Sequence, residues 1–241
     1  MEDVIRAGFV AHSESAAFRL AFARTIALID RYLDDHSYVS FSAGKDSAVC
    51  ADICHRRRPG IPILMVDPGC PTHWTEADRA MWLGWAKQRG WNLTLFPFDK
   101  WRVPQHVEVE EYRRQVHDDM FRALHDHAKA NGLTQRVMGM RAEESPRRAM
   151  LSATRGPAYA YADGGLALNP IMHWTAADVW AYTLRVGLPW LSIYDHMGPY
   201  ARNGLIGRSG ARQGRLAWLK IHYPDAYMEA LRLVPEATAY V

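Results

Sequence analysis

Apolar residues recur every three or four positions between Ser13 and Leu33. Phe18, Phe22, Ile26, Ile29 and Leu33 fall on one face, so the stretch predicts an amphipathic helix. The pattern then changes. Tyr38-Val39-Ser40-Phe41 is a short β-prone run that ends in small residues, and a helix is expected over Ala48 to His55, starting within or just after them. Ile61 to Val66 reads as a second strand, closed by Asp67-Pro68-Gly69. Thr75 to Arg89 reads as a helix and Leu93 to Phe96 as a third strand. A long amphipathic helix over Glu108 to Ala130 stops at Asn131-Gly132, and Arg136 to Met140 forms a fourth strand. This alternation predicts an α/β domain with a mostly parallel sheet. Ligands of such sheets sit beyond the C-terminal ends of the strands. The segments Ser42 to Ser47, Asp67-Pro68-Gly69 and Gly139-Met140-Arg141 all fall at such ends.

Towards the C-terminus the regularity weakens. Thr175 to Val186 predicts a helix with Thr175 as N-cap and Asp178 completing a capping box. From Pro189 to Gly214 the chain is rich in Gly, Pro and Arg, as in a long functional loop, and one or two helices around Pro224 close it. The expected organisation is an N-terminal helical segment over 1–36, a nucleotide-binding domain over 37–188, and an Arg/Gly-rich loop with C-terminal helices over 189–241.

Composition adds limits. With 49% hydrophobic and 23% charged residues in a chain of 241, one generous soluble domain is expected. No apolar run reaches about 18 residues, so no membrane partner is expected, and the start MEDVIRAGFVAHSE does not read as a secretory signal. A cytoplasmic protein follows. The formal charge of +3 is too small to argue for nucleic acid on its own. Three cysteines, Cys50, Cys54 and Cys70, are too few for a disulfide framework.

The chemistry concentrates in Ser40-Phe41-Ser42-Ala43-Gly44-Lys45-Asp46-Ser47. Small residues let backbone N–H groups approach phosphate oxygens, and the helix that follows offers its positive end. Lys45 adds a cation, and Ser42 and Ser47 add hydroxyls. The spacing of Gly and Lys is not that of a Walker loop. This segment resembles the pyrophosphate-binding loop, serine-x-glycine-glycine-lysine-aspartate-serine, of the adenine nucleotide alpha hydrolases. More narrowly, the chain resembles the phosphoadenosine phosphosulfate reductase family, which includes the small subunit of bacterial ATP sulfurylase. Three further blocks carry the likeness: Pro62 to Gly69, Gly139-Met140-Arg141-Ala142-Glu143-Glu144-Ser145-Pro146-Arg147, and Asn169 to Trp180. The resemblance implies a doubly wound sheet with helices on both faces, plus an irregular C-terminal extension. Ala43 departs from the family loop, standing where the first of two glycines usually sits.

What the resemblance implies for function is attack by an acceptor oxygen on the α-phosphorus of ATP, with pyrophosphate leaving. Such a step needs positioning and charge neutralisation more than covalent catalysis. Catalytic roles then fall to Lys45, Asp46, Arg141 and Arg147. Nucleotide contacts fall to Ser40, Ser42, Ala43, Gly44, Lys45, Asp46, Ser47, Met65, Val66, Asp67 and Gly139. Glu143, Glu144, Arg202, Arg208 and Arg212 are candidate substrate contacts, the three arginines suiting a polyanion. The expected cofactors are ATP, as substrate, and Mg²⁺ near Asp46. No zinc is expected, since Cys50 and Cys54 at i, i+4 find no further ligand pair, and no iron–sulfur cluster, since four cysteines are lacking. Expected partners are the nucleotide and either a partner subunit or a nucleic-acid acceptor. Two alternatives stay open. One is sulfonucleotide reduction with a thiol from Cys70 or a partner, because the tail offers no cysteine. The other is a nucleotide-binding subunit without turnover.

Overall fold

A computed structural model describes residues 1–67, 74–98, 109–161, 164–201 and 215–233. Helix α1 spans Asp3–Ser13 and α2 spans Ala16–Tyr32. The helix expected from Ser13 onward therefore begins three residues later, because the Ser15 hydroxyl accepts the Phe18 N–H at 3.0 Å and caps a new helix there. The chain then runs β1 (Ser37–Phe41), α3 (Lys45–Arg57), β2 (Pro62–Asp67), α4 (Glu76–Gln88), β3 (Asn92–Pro97), α5 (Val109–Ala130) and β4 (Gln135–Met138). After a 3₁₀ turn at Ala142–Glu144 come α6 (Pro146–Arg155), β5 (Ala158–Ala160) and β6 (Leu166–Leu168). Helices α7 (Ala176–Val186), α8 (Ile193–Met197), α9 (Arg215–His222) and α10 (Pro224–Leu233) complete the described elements.

The six strands form one sheet in the order β3-β2-β1-β4-β6-β5, parallel except for β5, which pairs antiparallel with β6. The fold is α/β and doubly wound. The chain winds from β1 out to β3 and then crosses back to β4 on the other side, so the order reverses between β1 and β4. Val39 and Phe41 of β1, Ile63 and Met65 of β2, and Val137 of β4 join one core with Val49 and Ile53 of α3. Tyr38 and Leu64 face the other way, onto Leu124 and Ala128 of α5. Strand alternation therefore gives the sheet two covered faces. Among the described residues, no helix is long and apolar enough to cross a membrane.

Helix α7 carries the expected capping box, with the Asp178 carboxylate accepting the Thr175 N–H at 2.7 Å. It packs against α1, α2 and α3. Between α7 and α3 lies a buried polar hub: Asp52 accepts from the Tyr182 hydroxyl and from Arg56 Nε, both at 2.7 Å. Burial first, and then the Asp52 carboxylate, push the Tyr182 phenol well above its ordinary pKa. A folded-state pKa raised above the unfolded value contributes stability that is present below the unfolded pKa and lost as pH climbs past it. Tyr182→Phe is expected to cost about 1.5–3 kcal/mol at neutral pH, the scale of a hydrogen bond to a charged group. It should also flatten the loss of stability above about pH 10. Denaturant titrations at pH 7 and pH 10.5 check both, and an unchanged alkaline slope counts against the hub.

Candidate active site

Three strand ends meet where the sheet order reverses. The first is the segment between β1 and α3. Its turn is made by Ala43, which lies in the left-handed region at φ 55° and is fully buried. The conformation explains why the family resemblance places a glycine there: a Cβ in this region costs about 1–2 kcal/mol. Gly44 then caps α3, its carbonyl accepting the Ala48 N–H at 2.9 Å. Ser47 donates to the same Gly44 carbonyl at 2.9 Å, and its Oγ accepts the Ser42 N–H at 3.1 Å and lies 3.1 Å from Ser42 Oγ. The two hydroxyls thus lock the turn on itself, with the N-terminus of α3 directed past the strand ends. Ala43→Gly sets relief of the left-handed strain against loss of a buried methyl, about 0.8 kcal/mol. The net change in unfolding free energy is expected to stay within about 1 kcal/mol, and a urea titration showing a larger shift would contradict this balance.

Lys45 is 5% exposed, unusual for a lysine, and is held in three ways. Its Nζ donates to Asp46 Oδ2 at 3.1 Å and sits 5.3 Å from the ring centroid of Tyr194, while its backbone N–H donates to the Tyr194 hydroxyl at 3.3 Å. Asp46 in turn accepts from Arg141 Nε at 2.5 Å, so one carboxylate joins two buried cations from different strand ends. Arg141 is 4% exposed. Burial pushes its pKa down, but Asp46, with Glu144 and Glu143, outweighs that and holds it above the ordinary value. Glu143 accepts from Arg141 Nη1 and, at 2.7 Å, from the Ala176 N–H that opens α7. Glu144 accepts the Arg141 N–H at 3.1 Å and pairs with Arg148. Both glutamates therefore contact Arg141, Glu144 half-buried and Glu143 at the exposed edge of the cluster.

Gly139 closes the cluster from β4. A Cβ built on it would lie 2.5 Å from the Asp46 carbonyl oxygen and 2.7 Å from the Ser47 nitrogen. The two segments touch backbone to backbone. At the end of β2, Met65 is fully buried and Val66 faces α5. The Asp67 carboxylate accepts from Trp74 Nε1 at 3.1 Å and Arg79 Nε at 3.0 Å, which ties the start of α4 to the strand. Ser40 points to the opposite face of the sheet, where it accepts from Arg136. Arg147 stands exposed on the first turn of α6, and it is its neighbour Arg148 that pairs with Glu144. Arg202, Arg208 and Arg212 lie outside the described residues, as do Cys70 and Pro68-Gly69. The contacts of Tyr194 with Lys45 and of Arg148 with Glu144 are the two contributions that pattern reasoning did not anticipate. The i, i+4 spacing of Glu144 and Arg148 was a usable signal.

Residues 36–204 match the family described as phosphoadenosine phosphosulfate reductase domain. The chain belongs to this family. It is 24% identical over 185 residues to an adenosine 5′-phosphosulfate reductase from Geobacillus sp. (strain WCH70), covering 70% of this chain and 71% of that protein. In fold it is similar to the U34-tRNA thiolase NcsA from Methanococcus maripaludis, solved with its [4Fe-4S] cluster. That match has a TM-score of 0.50 and 11% identity, and it covers 89% of this chain and 78% of the other. The family and the sequence relative are both described as sulfonucleotide reductases, while the likeness to the thiolase is one of fold.

The cofactor expectation is corrected by the thiolase. ATP and Mg²⁺ follow from the family resemblance, and the expected absence of an iron–sulfur cluster from the number of cysteines, whereas a protein of the same fold carries such a cluster. Cysteine count constrains ligands; it does not describe what the fold has room for. The described residues offer no ligand set: no group of three or more His, Cys, Asp or Glu among them is placed to hold a metal. Cys50 and Cys54 are free thiols, both buried within α3, and the Cys54 hydrogen bond together with burial pushes the Cys50 thiol well up.

Proposed function

We propose that the chain cleaves ATP between its α and β phosphates and transfers the adenylyl group to an acceptor, releasing pyrophosphate. The observation that carries this reading is the Lys45–Asp46–Arg141 cluster beside the amide-lined turn between β1 and α3, at the point where the strand order reverses. Negative charge develops on the oxygen that leaves with pyrophosphate. Fixed donors aimed at that oxygen lower the barrier because they need no reorganisation as the bond breaks. In this reading the first-turn amides of α3 and the Ser42 hydroxyl hold the β and γ phosphates. Lys45 turns from the Asp46 carboxylate to a phosphate oxygen. Arg141, held by Asp46 and both glutamates, faces the α-phosphate or an anionic acceptor. The acceptor class is sulfate, a sulfur-bearing group or a nucleic-acid group.

Incubating the purified protein with α-labelled ATP in magnesium-containing buffer, with and without sulfate or nucleic acid, tests this. AMP or an adenylyl product should appear in step with pyrophosphate. Labelled ADP as the main product would place the cut at the wrong bond and defeat the reading.

A second reading, sulfonucleotide reduction, is favoured by the 24% identity to an adenosine 5′-phosphosulfate reductase. Neither Cys50 nor Cys54 suits the nucleophile's role, since both are buried and the Cys50 thiol is held protonated. Cys70 or a partner would have to supply the thiol. Release of sulfite from a sulfonucleotide in the presence of a thiol donor would favour this reading over the first.

A further inference from the structure

The face of the sheet that α5 covers has a gap. α5 lies over β2 and β1 and reaches β4 through Phe121 beside Arg136, while the β5–β6 hairpin lies beyond β4. Between them is a hollow of about 550 Å³ that reaches back past the start of β4. Its floor is Tyr38 and Arg136, which are direct cross-strand partners in β1 and β4. His125, Asp126 and Lys129 of α5 form one wall, and Tyr161 forms the other.

Arg136 is the anomaly. Tyr38 and Leu64 elsewhere on this face join an apolar cluster, yet a central strand spends an inward position on a guanidinium. Buried or half-buried charges are ordinarily paired. Arg136 donates from one Nη to the Ser40 hydroxyl at 3.2 Å and lies 5.7 Å from the Phe121 ring centroid. Its Nε is buried with no acceptor, and among the described residues no carboxylate pairs with it. Asp126 lines the same hollow without reaching it, so with Lys129 the described lining carries two cations against one carboxylate.

We propose that this hollow is a second ligand site, for a small organic anion: a phosphate, sulfate or carboxylate borne on a flat ring. The anionic group would engage Arg136 and Lys129, since a guanidinium fork suits such oxyanions. The ring would lie against Tyr38 and Tyr161. The site is separate from the Lys45 cluster. That cluster sits at the start of α3, on the face of the sheet that α3 covers, whereas Arg136 and Ser40 meet on the opposite face, the one α5 covers.

Titration calorimetry with phenyl phosphate on the whole chain tests it. Saturable binding is expected in the wild type, retained in Lys45→Ala and weakened at least about tenfold in Arg136→Gln, the scale of one lost charge-assisted hydrogen bond. Inorganic phosphate should bind at least about tenfold more weakly than phenyl phosphate if the ring contributes. Absence of saturable binding, or binding lost in Lys45→Ala and intact in Arg136→Gln, overturns the site. Equal affinity for inorganic phosphate overturns the class of ligand. Should Arg136→Gln fail to fold, Lys129→Ala at the exposed wall is expected to weaken binding about threefold, and unchanged affinity there overturns it equally.

Discussion

Gly139→Ala is expected to destabilise the protein by roughly 2 kcal/mol or more and to deform the candidate phosphate loop, although alanine is the smallest side chain available. The reason is what the methyl group meets. Its nearest atoms would be the Asp46 carbonyl oxygen and carbon and the Ser47 nitrogen, at 2.5, 2.6 and 2.7 Å, all of them backbone. No rotamer change relieves a clash with main chain. Either the end of β4 withdraws or the first turn of α3 shifts, and both movements pull Arg141 away from Asp46. A displacement of about 1 Å at a reacting centre is enough to cost about 10²-fold in rate. Two measurements follow: a urea titration, and pyrophosphate release at saturating ATP. A Gly139→Ala protein as stable as the wild type would show that the two backbones have slack between them. The Asp46–Arg141 contact would then have to be held by the side chains alone.

This contact also marks the limit of what could be read from the chain as letters. The strands and most helices were legible because their period is local: Tyr38 to Phe41 alternates, and α5 repeats every three to four residues over 22 positions. The capping box of Thr175 and Asp178 was legible for the same reason, its partners being three residues apart. The hairpin β5–β6 was not. Its strands are three residues each, Ala158–Ala160 and Leu166–Leu168, too short to display alternation, and only the pairing of β6 with β4 and of β5 with β6 makes them strands. At the site, residue types around Lys45 and Arg141 pointed to anion chemistry, and the structure brings those two together. Their support was invisible. Tyr194 meets Lys45 across 149 positions, and Glu143 meets α7 across 33. Gly139 stood among the nucleotide contacts by motif alone, whereas its observed neighbour is the loop backbone. A motif records that glycine is needed; only the packing says what the missing side chain makes room for.

Lys45→Ala is expected to slow pyrophosphate release about 10²-fold or more while leaving the fold largely intact, and that separation gives the test its force. A buried lysine is normally risky to remove, because its counter-charge is stranded when the ammonium goes. Here Asp46 keeps Arg141 Nε at 2.5 Å, so the carboxylate retains a partner in the variant. The Tyr194 hydroxyl contact also survives, since it is made to the Lys45 backbone N–H rather than to the side chain. What disappears is one ammonium group that is 5% exposed, placed where water does not screen it and where leaving-group charge would build up. A positioned donor in such a setting contributes about 2.7–4 kcal/mol to the transition state, which is the expected rate loss. Lys45→Arg should recover part of the rate, since the charge returns on a planar group that fits a point-charge position poorly. A Lys45→Ala protein that releases pyrophosphate at the wild-type rate, with its stability unchanged, would take the ammonium out of the chemistry. Lys45 would then be a buried packing residue held by Asp46 and Tyr194.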